Sequence, residues 1–180
     1  LSDSVAYFEE IPDRRDTNSL KWGKYAGSDI IPLWVADMDF KSPPKVVSLA
    51  SELASFGNFG YATCPPSLVD SVIRRCLELY DWKIEKNWLV WLPGMVCALN
   101  VTCRAFENQS SQVITQAPIF PPFLSAPGNF GLPCTRVPMV LDSDRFSFDF
   151  DALDRLTTKP HDLFMLCHPH NPVGTSFTRD

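Results

Sequence analysis

Residues 163–174 read Leu-Phe-Met-Leu-Cys-His-Pro-His-Asn-Pro-Val-Gly, a short apolar run that leads into an Asn-Pro-x-Gly turn. The run 163–167 predicts a buried strand, and the turn chemistry predicts where that strand ends. In open α/β folds, ligands bind beyond the carboxyl ends of the parallel strands. The side-chain amide of Asn171 is therefore a candidate ligand contact, and a role in the turn alone explains the same residue equally well.

The chain before this turn alternates between helix-like and strand-like patterns. Apolar residues recur at helical spacing in some segments and form short uninterrupted runs in others. This alternation predicts an α/β fold of three layers, in which a mostly parallel sheet lies between flanking helices. In chain order, the predicted elements are helices 42–57 and 66–80, strand 88–91, helix 95–106, strands 112–115 and 135–140, helix 148–156 and strand 163–167.

Residues 1–41 lack this alternation and predict an extended N-terminal arm. Within the arm, residues 31–40 are mostly apolar but contain two acids, Asp37 and Asp39. The two carboxylates share one face of an extended segment, so they form either a functional pair or ordinary hydrogen bonds that anchor the loop. We expect the boundary with the following domain, residues 42–180, near residue 41.

Composition and net charge disfavour several functional classes of protein. The 180 residues carry a formal net charge of −5 without a stripe of Lys and Arg, which disfavours a nucleic-acid binder. No apolar run approaches the about 18 residues of a membrane helix, and residues 1–13 lack a signal-peptide pattern. The six cysteines form no C-x-x-C pair, which favours buried free thiols over disulfides. We therefore expect a soluble, cytoplasmic protein.

Two further segments follow predicted strands and carry candidate ligand contacts. Gly94-Met95-Val96 lies between a strand and a helix, where free backbone N–H groups can bind an anion such as phosphate. Most strand-glycine-helix turns are only turns, so this signal alone is weak. Phe120, in the proline-rich run 117–123, can stack on a flat ligand, but an apolar aromatic residue more often packs in the core.

Two other motifs have a weaker functional interpretation. His168 and His170 form a His-x-His pair, but the sequence offers no third ligand at a suitable spacing, so a metal site is disfavoured. Tyr61 follows the first predicted helix and can present its hydroxyl to a phosphate or across an interface. Taken alone, Tyr61 is more typical of a half-buried packing residue.

Taken in order, several motifs resemble the fold type I enzymes of the class I and II aminotransferase family. Within that family, the chain is most similar to the carbon–sulfur β-lyase (cystathionine β-lyase) branch, for which Trp-Val-Ala-Asp-Met-Asp-Phe at 34–40 is the nearest match. The resemblance covers essentially the whole chain. Its motifs are residues 20–22, 34–40, 60–61, 93–96, 117–123 and 168–174.

The resemblance implies the cofactor pyridoxal 5′-phosphate (PLP) and a role for each motif. It implies that backbone N–H groups of Gly94, Met95 and Val96 bind the PLP phosphate. It further implies that Phe120 stacks on the pyridine ring, where the family commonly has a tyrosine, and that Asn171 bonds the ring oxygen. Phe120 retains the aromatic face of that tyrosine but lacks its hydroxyl, so it offers no hydrogen bond or proton relay at that position.

The same resemblance implies a homodimer and names residues that line the substrate-binding space. Tyr61 would reach the PLP phosphate of a neighbouring subunit, and Val35 and Ala36 would line the space for a small amino-acid substrate. The implied fold is the PLP-dependent transferase-like large domain, of which residues 42–180 would be an incomplete N-terminal part. Residues 1–41 would be an arm or part of a small domain.

The implied enzyme is a PLP-dependent carbon–sulfur β-lyase that converts cystathionine or a related cysteine S-conjugate into a thiol, pyruvate and ammonia. A PLP-dependent aminotransferase is the close alternative. The family's Schiff-base lysine, pyridinium aspartate and substrate-binding arginine follow the Asn-Pro-x-Gly turn, and no lysine of this sequence has a matching context. We therefore expect no catalytic residue in this chain and an activity that needs further sequence. A non-catalytic truncated form is the third interpretation.

Overall fold

The computed structural model describes residues 8–109, 112–157 and 162–178. By their packing, these residues belong to two compact units, Leu1–Leu68 and Val69–Asp180. This division differs from the predicted boundary near residue 41, which separates an arm from a larger domain and stays a prediction.

The first unit contains a short helix and a long one. Helix α1 (Leu20–Gly23) begins after Ser19, whose hydroxyl accepts a hydrogen bond from the N–H of Trp22 at 3.4 Å. Helix α2 (Pro44–Phe56) ends at Gly57, which adopts a left-handed φ of 72° and donates its N–H to Leu53. The predicted helix 42–57 is therefore confirmed, with glycine as its stop.

Helix α3 (Pro66–Tyr80) begins in the first unit, continues into the second and has the predicted bounds. A 3-10 turn, Lys86–Trp88, then precedes an extended segment that pairs with no strand among the described residues. The prediction of a buried strand at 88–91 is wrong, since Trp88 and Val90 are 57% and 78% exposed. An apolar run becomes a strand only where a neighbour pairs with its backbone.

The second unit contains the strands β1 (Val113–Ala117), β2 (Cys134–Pro138), β3 (Val140–Asp142), β4 (Arg145–Ser147) and β5 (Leu163–Phe164). Three of them form a parallel sheet with the order β2-β1-β5, in which β1 is central. Val113 of β1 is opposite Cys134 of β2 on one side and Leu163 of β5 on the other. Strands β3 and β4 form a separate antiparallel pair.

Three of the predicted strands differ in extent from the observed ones, the first being 112–115, which is observed as Val113–Ala117. The predicted strand 135–140 is divided at Met139, although the N–H of Met139 still donates to the carbonyl oxygen of Ala117 at 2.9 Å. The predicted strand 163–167 is assigned only as Leu163–Phe164, although Met165 still donates its N–H to Ile114 at 2.9 Å. The parallel pairing predicted for this part of the chain is confirmed.

Helices cover both faces of the sheet and complete three layers. On one face, helices α4 (Met95–Phe106) and α5 (Pro122–Gly128) pack against Val113 and Met165. On the other face, Ile114 and Val137 pack against Ala152 of helix α6 (Phe150–Leu156). Burial on both faces explains why the consecutive residues Val113 and Ile114 of β1 are both apolar. The predicted three-layer α/β fold is confirmed, and the proline-rich run was not predicted to continue into a helix.

Candidate cofactor site

Phe120 and Asn171 lie next to each other beyond the carboxyl ends of β1 and β5. The backbone N–H of Phe120 donates to the carbonyl oxygen of Asn171 at 2.9 Å. Phe120 is half-buried and packs against the core, whereas Asn171 is exposed. Because β1 and β5 are parallel neighbours, the loops that follow them meet at one edge of the sheet. The structure therefore brings together two residues that lie 51 positions apart in the predicted site.

Gly94 has the backbone conformation of an anion-binding turn at the start of α4. Its φ of 110° lies in a region that side chains rarely adopt, and no atom lies within 4 Å of the position of a Cβ. The first hydrogen bond of the helix runs from Ala98 N–H to the Gly94 carbonyl oxygen at 3.1 Å. The N–H groups of Met95 and Val96 precede that bond, so they have no acceptor within the helix. These donors and the positive end of the helix dipole fit a phosphate.

The helix that begins at Gly94 packs against the helix that follows Phe120. Leu99 and Cys103 of α4 share a core cluster with Phe123 and Ala126 of α5. At the surface, Asn129 donates from Nδ2 to Oδ1 of Asn100 at 2.8 Å. The candidate phosphate turn and the candidate stacking residue therefore belong to two elements that one core holds together.

The Asn-Pro-x-Gly turn is closed by its own backbone. His170 donates its N–H to the carbonyl oxygen of Thr175 at 2.8 Å, and Gly174 donates to that of His170 at 2.7 Å. Gly174 adopts a φ of 70°, which explains the glycine at this position. In front of the turn, the Asn171 N–H donates to Sγ of Cys167 at 3.4 Å. These bonds leave the side chain of Asn171 at the exposed end of the turn.

Sequence reasoning missed the role of the His170 side chain. His170 is 1% exposed, and its Nε2 lies 2.8 Å from the carbonyl oxygen of Pro118. The sequence singled it out only as half of a His-x-His pair. Among the described residues, no group of three or more His, Cys, Asp and Glu side chains lies close enough to hold a metal ion. Its burial depends on contacts with a distant loop, which residue spacing does not reveal.

The first unit holds the other predicted site residues. Val35 is half-buried, and Ala36 and Tyr61 are exposed. Their assignment to substrate and to a neighbouring subunit stays a prediction, as do the roles of Gly94, Met95, Val96, Phe120 and Asn171.

The acids that follow Val35 and Ala36 anchor the loop. Lys21, which is 4% exposed, donates from Nζ to Oδ2 of Asp39 at 2.7 Å and to the carbonyl oxygen of Asp37 at 2.9 Å. The indole N–H of Trp22 donates to Oδ1 of Asp39 at 3.2 Å. The hydrogen bond from Lys21 is the main cause that holds the pKa of Asp39 below its ordinary value. The structure thus agrees with the anchoring interpretation of the two acids.

The cysteines are less buried than the sequence predicts. All six are free thiols, but only Cys103 is fully buried, so the expectation of mostly buried thiols is wrong.

Among the helices of residues 8–109, 112–157 and 162–178, none combines the length and apolar character needed to cross a membrane.

Comparison with known proteins identifies a family for nearly the whole chain. The family profile for "Aminotransferase class I and II" matches residues 28–180. Cystathionine beta-lyase PatB from Bacillus subtilis (strain 168) is 32% identical over 178 residues, which cover 96% of this chain and 46% of that protein. The chain therefore spans less than half the length of this curated relative.

Solved structures share the fold over a similar extent. The structure of OvoB superposes with a TM-score of 0.84 at 38% identity, covering 93% of this chain and 44% of that one. Cystalysin from Treponema denticola, whose structure contains pyridoxal 5′-phosphate, has a TM-score of 0.85 at 25% identity. That match covers 94% of this chain and 45% of cystalysin.

Proposed function

Because this chain belongs to the class I and II aminotransferase family, we propose that the protein carrying it is a PLP-dependent carbon–sulfur β-lyase. Its substrate is cystathionine or a related cysteine S-conjugate. The observation that carries the site is the 2.9 Å bond between Phe120 and Asn171, which joins two candidate cofactor contacts. The similarity to a cystathionine β-lyase over 96% of the chain supports the reaction class.

The chain's part in this function is to hold and orient the cofactor. The N–H groups of Met95 and Val96 bind the phosphate at the turn that Gly94 forms, because Gly94 donates its own N–H to the carbonyl oxygen of Leu92 at 2.8 Å. Phe120 stacks on the pyridine ring. Asn171 donates a hydrogen bond from its side-chain amide to the ring oxygen. When bound, PLP supplies an electron sink for the negative charge that develops when the substrate loses its Cα proton.

The first unit contributes to substrate and assembly in this proposal. Val35 and Ala36 line the substrate side, on a segment that Lys21 and Asp39 anchor at 2.7 Å. Exposed Tyr61 reaches the phosphate of a second subunit in a homodimer. No lysine of these 180 residues has the context of the family's Schiff-base lysine, so this proposal assigns no catalytic residue to the chain. We further propose a cytoplasmic location, which the six free thiols support.

The reaction requires that a proton leaves Cα and that the bond between Cβ and sulfur breaks. With water, cystathionine then gives homocysteine, pyruvate and ammonia. Incubating the full-length protein and PLP with cystathionine should release thiol and pyruvate in equal amounts. This release should not require an added keto acid as amino acceptor. Amino transfer that depends on a keto acid, without thiol release, would identify the aminotransferase alternative. If the full-length protein binds no PLP, the non-catalytic interpretation holds.

A further inference from the structure

The side chain of His170 connects the Asn-Pro-x-Gly turn to the loop that follows β1. Its Nε2 lies 2.8 Å from the carbonyl oxygen of Pro118, 52 residues away in sequence. A carbonyl oxygen can only accept a hydrogen bond, so Nε2 carries the proton and donates it. The imidazole is 1% exposed, so water does not compete for this bond.

The backbone of the same residue closes the turn. The N–H and the carbonyl oxygen of His170 bond to Thr175 and Gly174, at 2.8 Å and 2.7 Å. His170 therefore has a fixed position relative to the turn before its side chain makes any contact. Because the backbone of His170 is fixed in the turn, the bond from its side chain holds Pro118 at a defined position relative to the turn.

A second bond joins the same two segments one residue further along the turn. Phe120 N–H donates to the carbonyl oxygen of Asn171 at 2.9 Å. Pro118 and Phe120 are thus both tied to consecutive residues of the turn, His170 and Asn171. Two bonds between the segments restrict rotation of one about the other, which a single bond does not.

We propose that His170 is a positioning residue that fixes the distance and orientation between the Phe120 ring and the Asn171 amide. The inference rests on the proposed function, in which these two groups contact the same cofactor ring. His170 itself touches neither substrate nor cofactor. Its Nε2 is engaged with a carbonyl oxygen and is therefore not a metal ligand in this arrangement. Without the side-chain bond, both contacts remain on the chain but lose their mutual alignment.

The test compares two substitutions of His170 in the full-length protein. His170→Leu removes the donor, while His170→Gln retains an N–H near the position of Nε2. We expect His170→Leu to weaken PLP binding to the apo-protein about fivefold, the effect of one lost hydrogen bond. We also expect it to reduce the circular dichroism of the cofactor absorption band at saturating PLP. His170→Gln should restore both to within about twofold of the parent protein.

Two controls separate alignment from general stability. His168→Gln changes the same residue type two positions earlier, at an exposed site, and should alter neither quantity. Competition by inorganic phosphate, which probes the Gly94 turn alone, should be unchanged by His170→Leu. If His170→Leu does not fold, His170→Asn replaces it, because its shorter side chain does not reach Pro118.

The outcomes distinguish this inference from the proposed function. If the parent protein binds no PLP, the proposed function fails and this inference fails with it. If the parent protein binds PLP and His170→Leu matches it in affinity and circular dichroism, only the positioning role is wrong. The positioning role is also wrong if His170→Gln lowers PLP affinity and circular dichroism as much as His170→Leu does. It is wrong as well if His170→Leu weakens competition by phosphate as much as it weakens PLP binding.

Discussion

Lys21 and Asp39 form an ion pair at 2.7 Å in which the ammonium group is almost completely buried and the carboxylate is 31% exposed. The pair holds the segment that follows Val35 and Ala36. Replacing Lys21 by Met leaves the Trp22 indole as the remaining hydrogen-bond donor to the Asp39 carboxylate among the described residues. We expect the free energy of unfolding to fall by about 1–3 kcal/mol, measured by urea denaturation.

A matched control is the Arg15–Asp13 pair, which is as short but exposed, with side chains 73% and 61% accessible. Replacing Arg15 by Met should lower the free energy of unfolding much less than replacing Lys21, because solvent screens an exposed ion pair. If the two variants lose equal free energy of unfolding, burial of Lys21 does not increase the stability that the Lys21–Asp39 pair contributes.

Asp39 also makes stability depend on pH in a defined range. Its pKa is lowered in the folded protein, chiefly by the Lys21 hydrogen bond, so the unfolded chain binds the proton more readily. The stabilisation is therefore complete above the ordinary pKa of about 3.9 and is lost as the pH falls through the lower folded value. Melting temperatures measured between about pH 5 and pH 2 should fall less steeply for Asp39→Asn than for the parent protein.

Gly94→Ala tests the backbone conformation of the phosphate turn. The φ of 110° makes an alanine strained although the space for its Cβ is open. We expect a cost of about 1–3 kcal/mol, either as lost stability or as a relaxed turn with weaker PLP binding. Gly128→Ala is the control, since Gly128 ends α5 without a positive φ and with free space for a Cβ. In thermal melts and PLP titrations, Gly94→Ala should lose more stability or more PLP affinity than Gly128→Ala.

Phe120→Ala tests ring stacking against core packing. Loss of a stacking contact predicts PLP binding weaker by about two- to tenfold. Phe130 packs half-buried against the same core cluster, so Phe130→Ala should lose stability without losing PLP affinity. If the two alanine variants lose equal stability and neither loses affinity, Phe120 is a core residue only.

Cys103 should be the slowest of the six cysteines to react with iodoacetamide. It is fully buried, and burial is the main cause that raises its thiol pKa, so little reactive thiolate is present. Peptide mass mapping during alkylation at pH 8 measures the order of reaction. In urea the six rates should converge, whereas a native Cys103 as fast as half-buried Cys64 would contradict the prediction.

Local sequence patterns predicted the helices whose apolar spacing or terminal glycine lies within the helix or next to it. Helices α3 and α4 follow from apolar spacing, and the end of α2 follows from Gly57, because these features depend on neighbouring residues. The runs at 88–91 and 112–115 were both predicted as strands, yet among the described residues only the second pairs with neighbouring strands. Whether an apolar run becomes a strand depends on distant sequence, which a local pattern cannot contain.

The site was predictable to the level of motifs but not of contacts. The positions of Phe120 and Asn171 after two strands predicted a shared edge, and the parallel pairing of β1 with β5 explains why. The anchoring roles of His170 and Lys21 were not predictable. Both residues are polar types that are usually exposed or only partly buried, and their burial comes from partners 52 and 18 positions away.

The central place of β1 also has a consequence for the nascent chain. Its pairing with β5 and the bond from Thr115 to Met165, which spans 50 residues, must wait until that later segment has been synthesised. Until then, β1 presents one unpaired apolar edge, which other chains can join. The contact between Phe120 and Asn171 depends on the same late segment, so it forms after β1 and β2 are already able to pair.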